Sequence, residues 1–203
     1  LKCYRKYIIL VLAVLLLASC SQQKEDDQKT SGLTIEPLEL NKKEKVLINK
    51  TGVNFIRYFK LNGHLKKNED LKIELDKYVN GKKTDESMSS TNEPNLTFQD
   101  DILSFGIQTL QEEKKLILFM GLTNGISSTT ESKNKITASS YGNVLNKKIK
   151  LIKESPVYLA AWMGTSKNEI HGGFEDEEGK FPDAVKQSEL AFVYKITLVH
   201  REK

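Results

Sequence analysis

Cysteine is nearly missing from this chain: 203 residues hold two, Cys3 and Cys20. Nothing after residue 20 carries a thiol, which excludes disulfides, cysteine-ligated zinc, iron–sulfur clusters and a cysteine nucleophile from that part. Tryptophan occurs once, as Trp162, and proline four times, as Pro37, Pro94, Pro156 and Pro182. The longest apolar run, Ile8 to Ala18, has 11 residues, whereas a helix needs roughly 20 to cross a bilayer core. There is no sustained helical stripe, no phosphate-cradling glycine loop, no dinucleotide glycine pattern and no HExxH pair. A domain without covalent cross-links must be held by its apolar core, and chains of about 150 residues bury enough surface for that.

What is present begins at the N-terminal end. Lys2, Arg5 and Lys6 precede the apolar run, and no acid occurs before Glu25. A basic front followed by about 10–14 apolar residues reads as the core of a signal peptide. The run closes on Leu17-Ala18-Ser19-Cys20, which resembles the lipobox of bacterial lipoproteins: an apolar residue, two small ones, then the cysteine. The resemblance covers the first twenty residues only. It implies a diacylglyceryl group on the Cys20 thiol, a cut between Ser19 and Cys20, and loss of residues 1–19 as signal peptide. Cys20 then becomes a lipid-bearing N-terminus on the extracytoplasmic side of the cell membrane. Two acyl chains hold a protein there stably, each buried methylene contributing about 0.8 kcal/mol.

The cut would remove three of 31 basic residues and none of the 27 acidic ones, taking the net charge from +4 to 28 − 27 = +1. Nothing in such a balance favours nucleic acid. The expected partners are the membrane, through the lipid on Cys20, and an envelope protein or ligand. No cofactor is expected.

Ser21 to Gly32 lacks any apolar residue, so residues 20–32 are expected to form a disordered tether, with 33–203 as a single β-rich domain. Leu33-Thr34-Ile35 ahead of Pro37 suits an edge strand. Asn41 with Glu44 three residues on predicts a capped helix over Lys42 to Lys50, with Val46 and Leu47 turned inward. The period then changes to two. Phe55, Phe59 and Leu61 share one parity, interrupted by Arg57, and Leu71, Ile73, Leu75 and Val79 share another. These two runs, joined by a polar loop containing His64, read as an antiparallel pair, and Asn80-Gly81 supplies a turn.

Lys82 to Asp101 and Asn124 to Asn134 read as polar connections. Further strands are expected around Leu103-Phe105-Ile107, from Lys115 to Thr123, Lys135 to Ser140, Val144 to Ile152, Pro156 to Met163, and Leu190 to Leu198. Lys115 to Thr123, apolar on both faces, is expected to be central in its sheet. About nine strands, at most one short helix and no βαβ rhythm define a mainly all-β chain. An antiparallel β-sandwich is expected, with a closed β-barrel as second choice.

Chemistry is harder to find. His64, His171 and His200 have no second ligand at metal spacing. His171-Gly172-Gly173-Phe174 resembles the oxyanion strings of esterases, but Gly164-Thr165-Ser166-Lys167-Asn168 lacks the closing glycine of a nucleophile elbow. Glu175 to Glu178 are consecutive, so their side chains diverge and do not converge on calcium. No catalytic and no metal-binding residue is assigned. One stretch stands out: Gly164 to Ser188 puts 25 residues between two strong strands, and connections beyond about 12–15 residues usually bind something or lack order. Trp162, His171 and Phe174 are therefore the candidate binding residues. Alternation puts Trp162 with Tyr158 on the face opposite Leu159, where core is the favoured reading over an exposed patch.

The first functional reading is a non-catalytic binding or interaction module of the cell envelope. The second is a carrier of small apolar ligands, a calycin-like barrel with Phe55, Phe59, Phe105, Phe119 and Trp162 around a cavity of about 300 Å³ or more. The third is an envelope hydrolase whose acids come from distant strands.

Overall fold

The computed structural model describes residues 30–133, 135–170, 173–174 and 178–201. The expected signal peptide, Cys20 and the expected tether as far as residue 29 lie outside them, as do His171 and Glu175 to Glu177.

The described residues fold as an antiparallel β-sandwich of eleven strands with one α-helix and one 3-10 turn. In order they are β1 (Thr30–Pro37), α1 (Lys42–Asn49), β2 (Phe55–His64), β3 (Glu69–Val79), β4 (Lys82–Ser90), β5 (Thr97–Leu110) and β6 (Lys115–Leu122). Then come β7 (Gly125–Ser132), β8 (Ala138–Asn143), β9 (Ile149–Ile152), β10 (Val157–Thr165), the 3-10 turn Asp183–Gln187 and β11 (Leu190–His200). Six strands form sheet A in the order β7-β6-β5-β2-β1-β9, and five form sheet B in the order β4-β3-β11-β10-β8. Among the described residues there is no closed barrel, so the calycin-like carrier loses its scaffold. Of its proposed lining, Phe55, Phe59, Phe105 and Trp162 are packed into the core, and Phe119 sits half-buried on the outer face of β6.

Alternation explains the core. Phe59, Leu61, Leu103, Phe105, Ile107, Leu116, Leu118 and Met120 of sheet A meet Leu71, Ile73, Leu75, Phe192, Tyr194, Ile196 and Leu198 of sheet B. β11 pairs with β3 from Leu190↔Val79 to His200↔Glu69 and with β10 on its other side, which makes it the spine of its sheet. β2 runs on past Asn62-Gly63 to His64, through a register shift between Leu61 and Gly63. Gly63 sits at φ +116, and a Cβ there would collide with the Gly32 carbonyl of β1.

Several expectations are corrected. β2 and β3 are not partners: β2 lies between β1 and β5, β3 lies between β4 and β11, and the segment joining them crosses from one sheet to the other. His64 belongs to β2 and not to that loop. The two polar connections contain strands β4 and β7, each an edge, paired to β3 and β6 through tight turns. β1 lies inside β9 and is not an edge, while β6 is second from the edge and not central. The helix α1 has its capping box, with Asn41 Oδ1 accepting from the Lys43 and Glu44 amides and Glu44 accepting from the Asn41 amide. Its apolar pair faces outward, however: Val46 is 53% and Leu47 67% exposed.

A bulge in β10 between Tyr158 and Ala160 shifts the alternation. Leu159 and Trp162 therefore share the inter-sheet core, and Tyr158 stays on the outer face beside Phe181. There the segment after β10 covers sheet B: Phe174 and Val185 pack with Ala161, Met163, Ala191, Val193 and Tyr78. Further along the same face lies a ladder of charge. Lys195 Nζ is 2.7 Å from Asp76 Oδ2 and 3.4 Å from Glu74 Oε2. Lys83 Nζ stands 2.8 Å from Asp76 Oδ1, and Lys72 Nζ 2.7 Å from Glu74 Oε1.

Candidate binding cleft

A sandwich has two open flanks, and the sequence closes them differently. On the β4/β7 flank, Lys77 and Glu131 both point between the sheets and meet at 2.7 Å. On the other flank, residue 153 bridges to Leu198 and the Glu154 amide donates to the Leu198 carbonyl at 2.8 Å. That closes one corner. Toward the opposite end of the flank β8 stands over β2, and Arg57 fills the gap.

Arg57 occupies a core parity of β2, between Phe55 and Phe59. Its guanidinium lies 4.7 Å from the Phe55 ring centre and 5.7 Å from that of Tyr141; the two rings are 4.4 Å apart. Nη1 donates to the Ile56 carbonyl at 3.0 Å. Contacts of this kind hold a cation against aromatic faces, but they do not neutralise it. Among the described residues no carboxylate pairs with Arg57. Burial draws the guanidinium below its ordinary pKa, with Tyr141 acting in the other direction.

A cleft of about 370 Å³ opens beside it, lined by Arg57, Ser140, Tyr141, Gly142, Asn143, Asn146, Gly173 and Phe174. Half of these come from β8, the last strand of sheet B. Asn143 Oδ1 is buried with no hydrogen-bond partner among the described residues. Phe174 lies directly on Gly142, where a Cβ would come within 2.9 Å of its ring. Small residues on β8 thus leave the strand accessible on one side and let Phe174 cap it on the other. The wall offers a fixed cation, an unsatisfied acceptor and an aromatic face, which suits a ligand carrying both a carboxylate and N–H donors.

Two other hollows are already satisfied. One of about 240 Å³ lies between Met163 and Glu189, where Glu189 accepts from the Thr165 and Ser166 hydroxyls at 2.8 and 2.9 Å. Those bonds hold its carboxyl below the usual range. Another, of about 460 Å³, is bordered by Lys77, whose charge Glu131 matches. Among the described residues no group of three His, Cys, Asp or Glu side chains is placed to hold a metal ion.

Of the three candidate residues, Phe174 is brought into the cleft, though 4% exposed. Trp162 lies one layer below, buried at 3% exposure against Phe192 and opposite Tyr141 in the β8–β10 register. His171 lies outside the described residues. Arg57 was not among the three, although its signal was visible: a cation on the apolar parity of an otherwise core-facing strand.

Residues 34–198 match one family model, described as the YgaN domain. No curated protein and no solved structure matches the chain.

Proposed function

The chain belongs to the YgaN domain family, and on that footing we propose that it is an extracytoplasmic lipoprotein, anchored through Cys20, whose sandwich is a non-catalytic binding module with the Arg57 cleft as its ligand site. The binding half of the reading is carried by one observation: Arg57 is half-buried and lacks a carboxylate partner among the described residues. Burying a charge without a partner costs several kcal/mol, so a cation kept in that state has a use for an external anion. The location is supported by Leu17-Ala18-Ser19-Cys20 at the end of an apolar run of 11 residues.

Both halves can be tested in one preparation. The full chain expressed in a bacterium with a lipoprotein pathway should incorporate an alkyne-labelled palmitate and stay with membranes, and Cys20→Ser should abolish both. Benzoate, as a plain carboxylate probe, should shift the Arg57 Nε–Hε resonance of the purified chain in mild detergent. An unlabelled Cys20 would remove the anchor, and an unmoved Arg57 signal would remove the site.

A further inference from the structure

The edges of the two sheets are guarded unequally. An unpaired strand edge recruits other strands unless charge, proline or shortness prevents it. Four strands end the sheets: β7 and β9 in sheet A, β4 and β8 in sheet B. The sequence of β4 includes Lys82, Lys83, Asp85 and Glu86, and β7 contributes Glu131, paired with Lys77. β9 is four residues long and includes Lys150. β8 reads Ala-Ser-Ser-Tyr-Gly-Asn, with neither charge nor proline. It is also the strand along which the cleft runs.

We propose that this cleft takes an extended peptide bearing a carboxylate, which adds to β8 as a further strand and sets its carboxylate on Arg57. The inference rests on the reading of the Arg57 cleft as a ligand site and names the class of ligand. Three observations converge on a peptide. The guanidinium needs an anion in a planar fork geometry, which a carboxylate matches. Asn143 Oδ1 needs a donor, and a peptide backbone supplies N–H groups at regular spacing. Ser139 and Ser140 leave room for a main chain to approach, and Tyr141, 46% exposed, offers a flat surface for an alternate side chain. Strand addition takes its affinity from main-chain hydrogen bonds and its selectivity from such pockets. The six residues of β8, at about 3.3 Å each, accommodate a segment on the order of 20 Å long.

The test uses the full chain in mild detergent and a bead-bound library of seven-residue peptides with free carboxyl ends. Selected peptides should carry an acid and β-branched residues. Their affinity should fall at least tenfold with Arg57→Gln, and equally with Tyr141→Asp, which sets a counter-charge on the face of β8 that Arg57 meets. Methylating alternate peptide nitrogens should abolish binding, and methylating the intervening ones should not. Amidating the peptide end, or replacing its Glu by Gln, tells a terminal carboxylate from a side-chain one. Failure to select any peptide, or selected peptides indifferent to both variants or to N-methylation, overturns the proposal. If benzoate still moves the Arg57 signal in that case, only strand addition has failed; if it does not, the ligand site itself is withdrawn.

Discussion

Leu159 and Trp162 stand three positions apart on β10 and point into the same core. Strict alternation would place them on opposite faces. The bulge between Tyr158 and Ala160 absorbs the odd residue, as bulges do wherever a strand must re-aim its side chains. Trp162 then packs on Phe192, ring centres 5.8 Å apart. Trp162→Ala should cost about 3–5 kcal/mol, measured by denaturant titration followed by circular dichroism. The single tryptophan should also emit at short wavelength when folded and shift red on unfolding; an emission already red in the native protein contradicts its burial.

Lys195 holds two buried carboxylates, Asp76 at 1% and Glu74 at 4% exposure. Burial works to lower its pKa, but Asp76 and Glu74 outweigh that and the net shift is upward. Lys195→Met should destabilise by about 1–3 kcal/mol, since it leaves Asp76 with Lys83 alone and Glu74 with Lys72 alone. Replacing Lys195, Asp76 and Glu74 together by leucine should recover most of that loss. Equal stability of the single and triple variants would mean that the ladder contributes no pairing.

Alkaline pH should unfold the protein through its tyrosines. Desolvation, then Asp76, Tyr158 and Glu74, push the Tyr78 phenol well up. Burial raises Tyr158 and Tyr194 in the same direction, and Tyr194 hydroxyl donates to the Gly121 carbonyl at 3.3 Å. Unfolded phenols ionise near pH 10. A raised folded value means that the native state holds the proton more tightly, so this stability is complete below about pH 10 and is lost as pH climbs toward the folded values. Absorbance at 295 nm should show these three phenols ionising together with unfolding. Their ionisation with native circular dichroism retained would refute this.

The helix α1 buries none of its residues, so its ends matter more than its face. Asn41→Ala should fray it locally, a change of about 1 kcal/mol seen as faster amide exchange over residues 42–49. The global melting midpoint should hardly move. Val46→Ser and Leu47→Ser should each stay within about 0.5 kcal/mol of the parent. A loss of 2 kcal/mol would place the pair back in a core.

The main sheet strands were legible because one face of each is apolar and the other is not: Leu103-Phe105-Ile107 and Leu190 to Leu198 could be read directly. β4 and β7 were hidden because edge strands facing water carry no apolar alternation, although the Asn80-Gly81 turn announced a hairpin. The pairing of β2 with β5 was invisible, since nothing local distinguishes a loop that turns back from one that crosses between sheets. The helix cap was legible and its inward face was not, because Val46-Leu47 reads equally as core or as surface when the partner is unknown. For the cleft, Arg57 was noticed as an interruption and Phe174 as part of a long connection. Their meeting at β8 depends on the stacking of two sheets, which no sequence spacing encodes.

Among the described strands, three of the four outer margins are blunted and one is bare. A body with a single bare margin can acquire one neighbour and then has nothing further to offer, so contact stops at a pair and does not propagate into fibres. The same unevenness that invites a companion sets the limit on how many can follow.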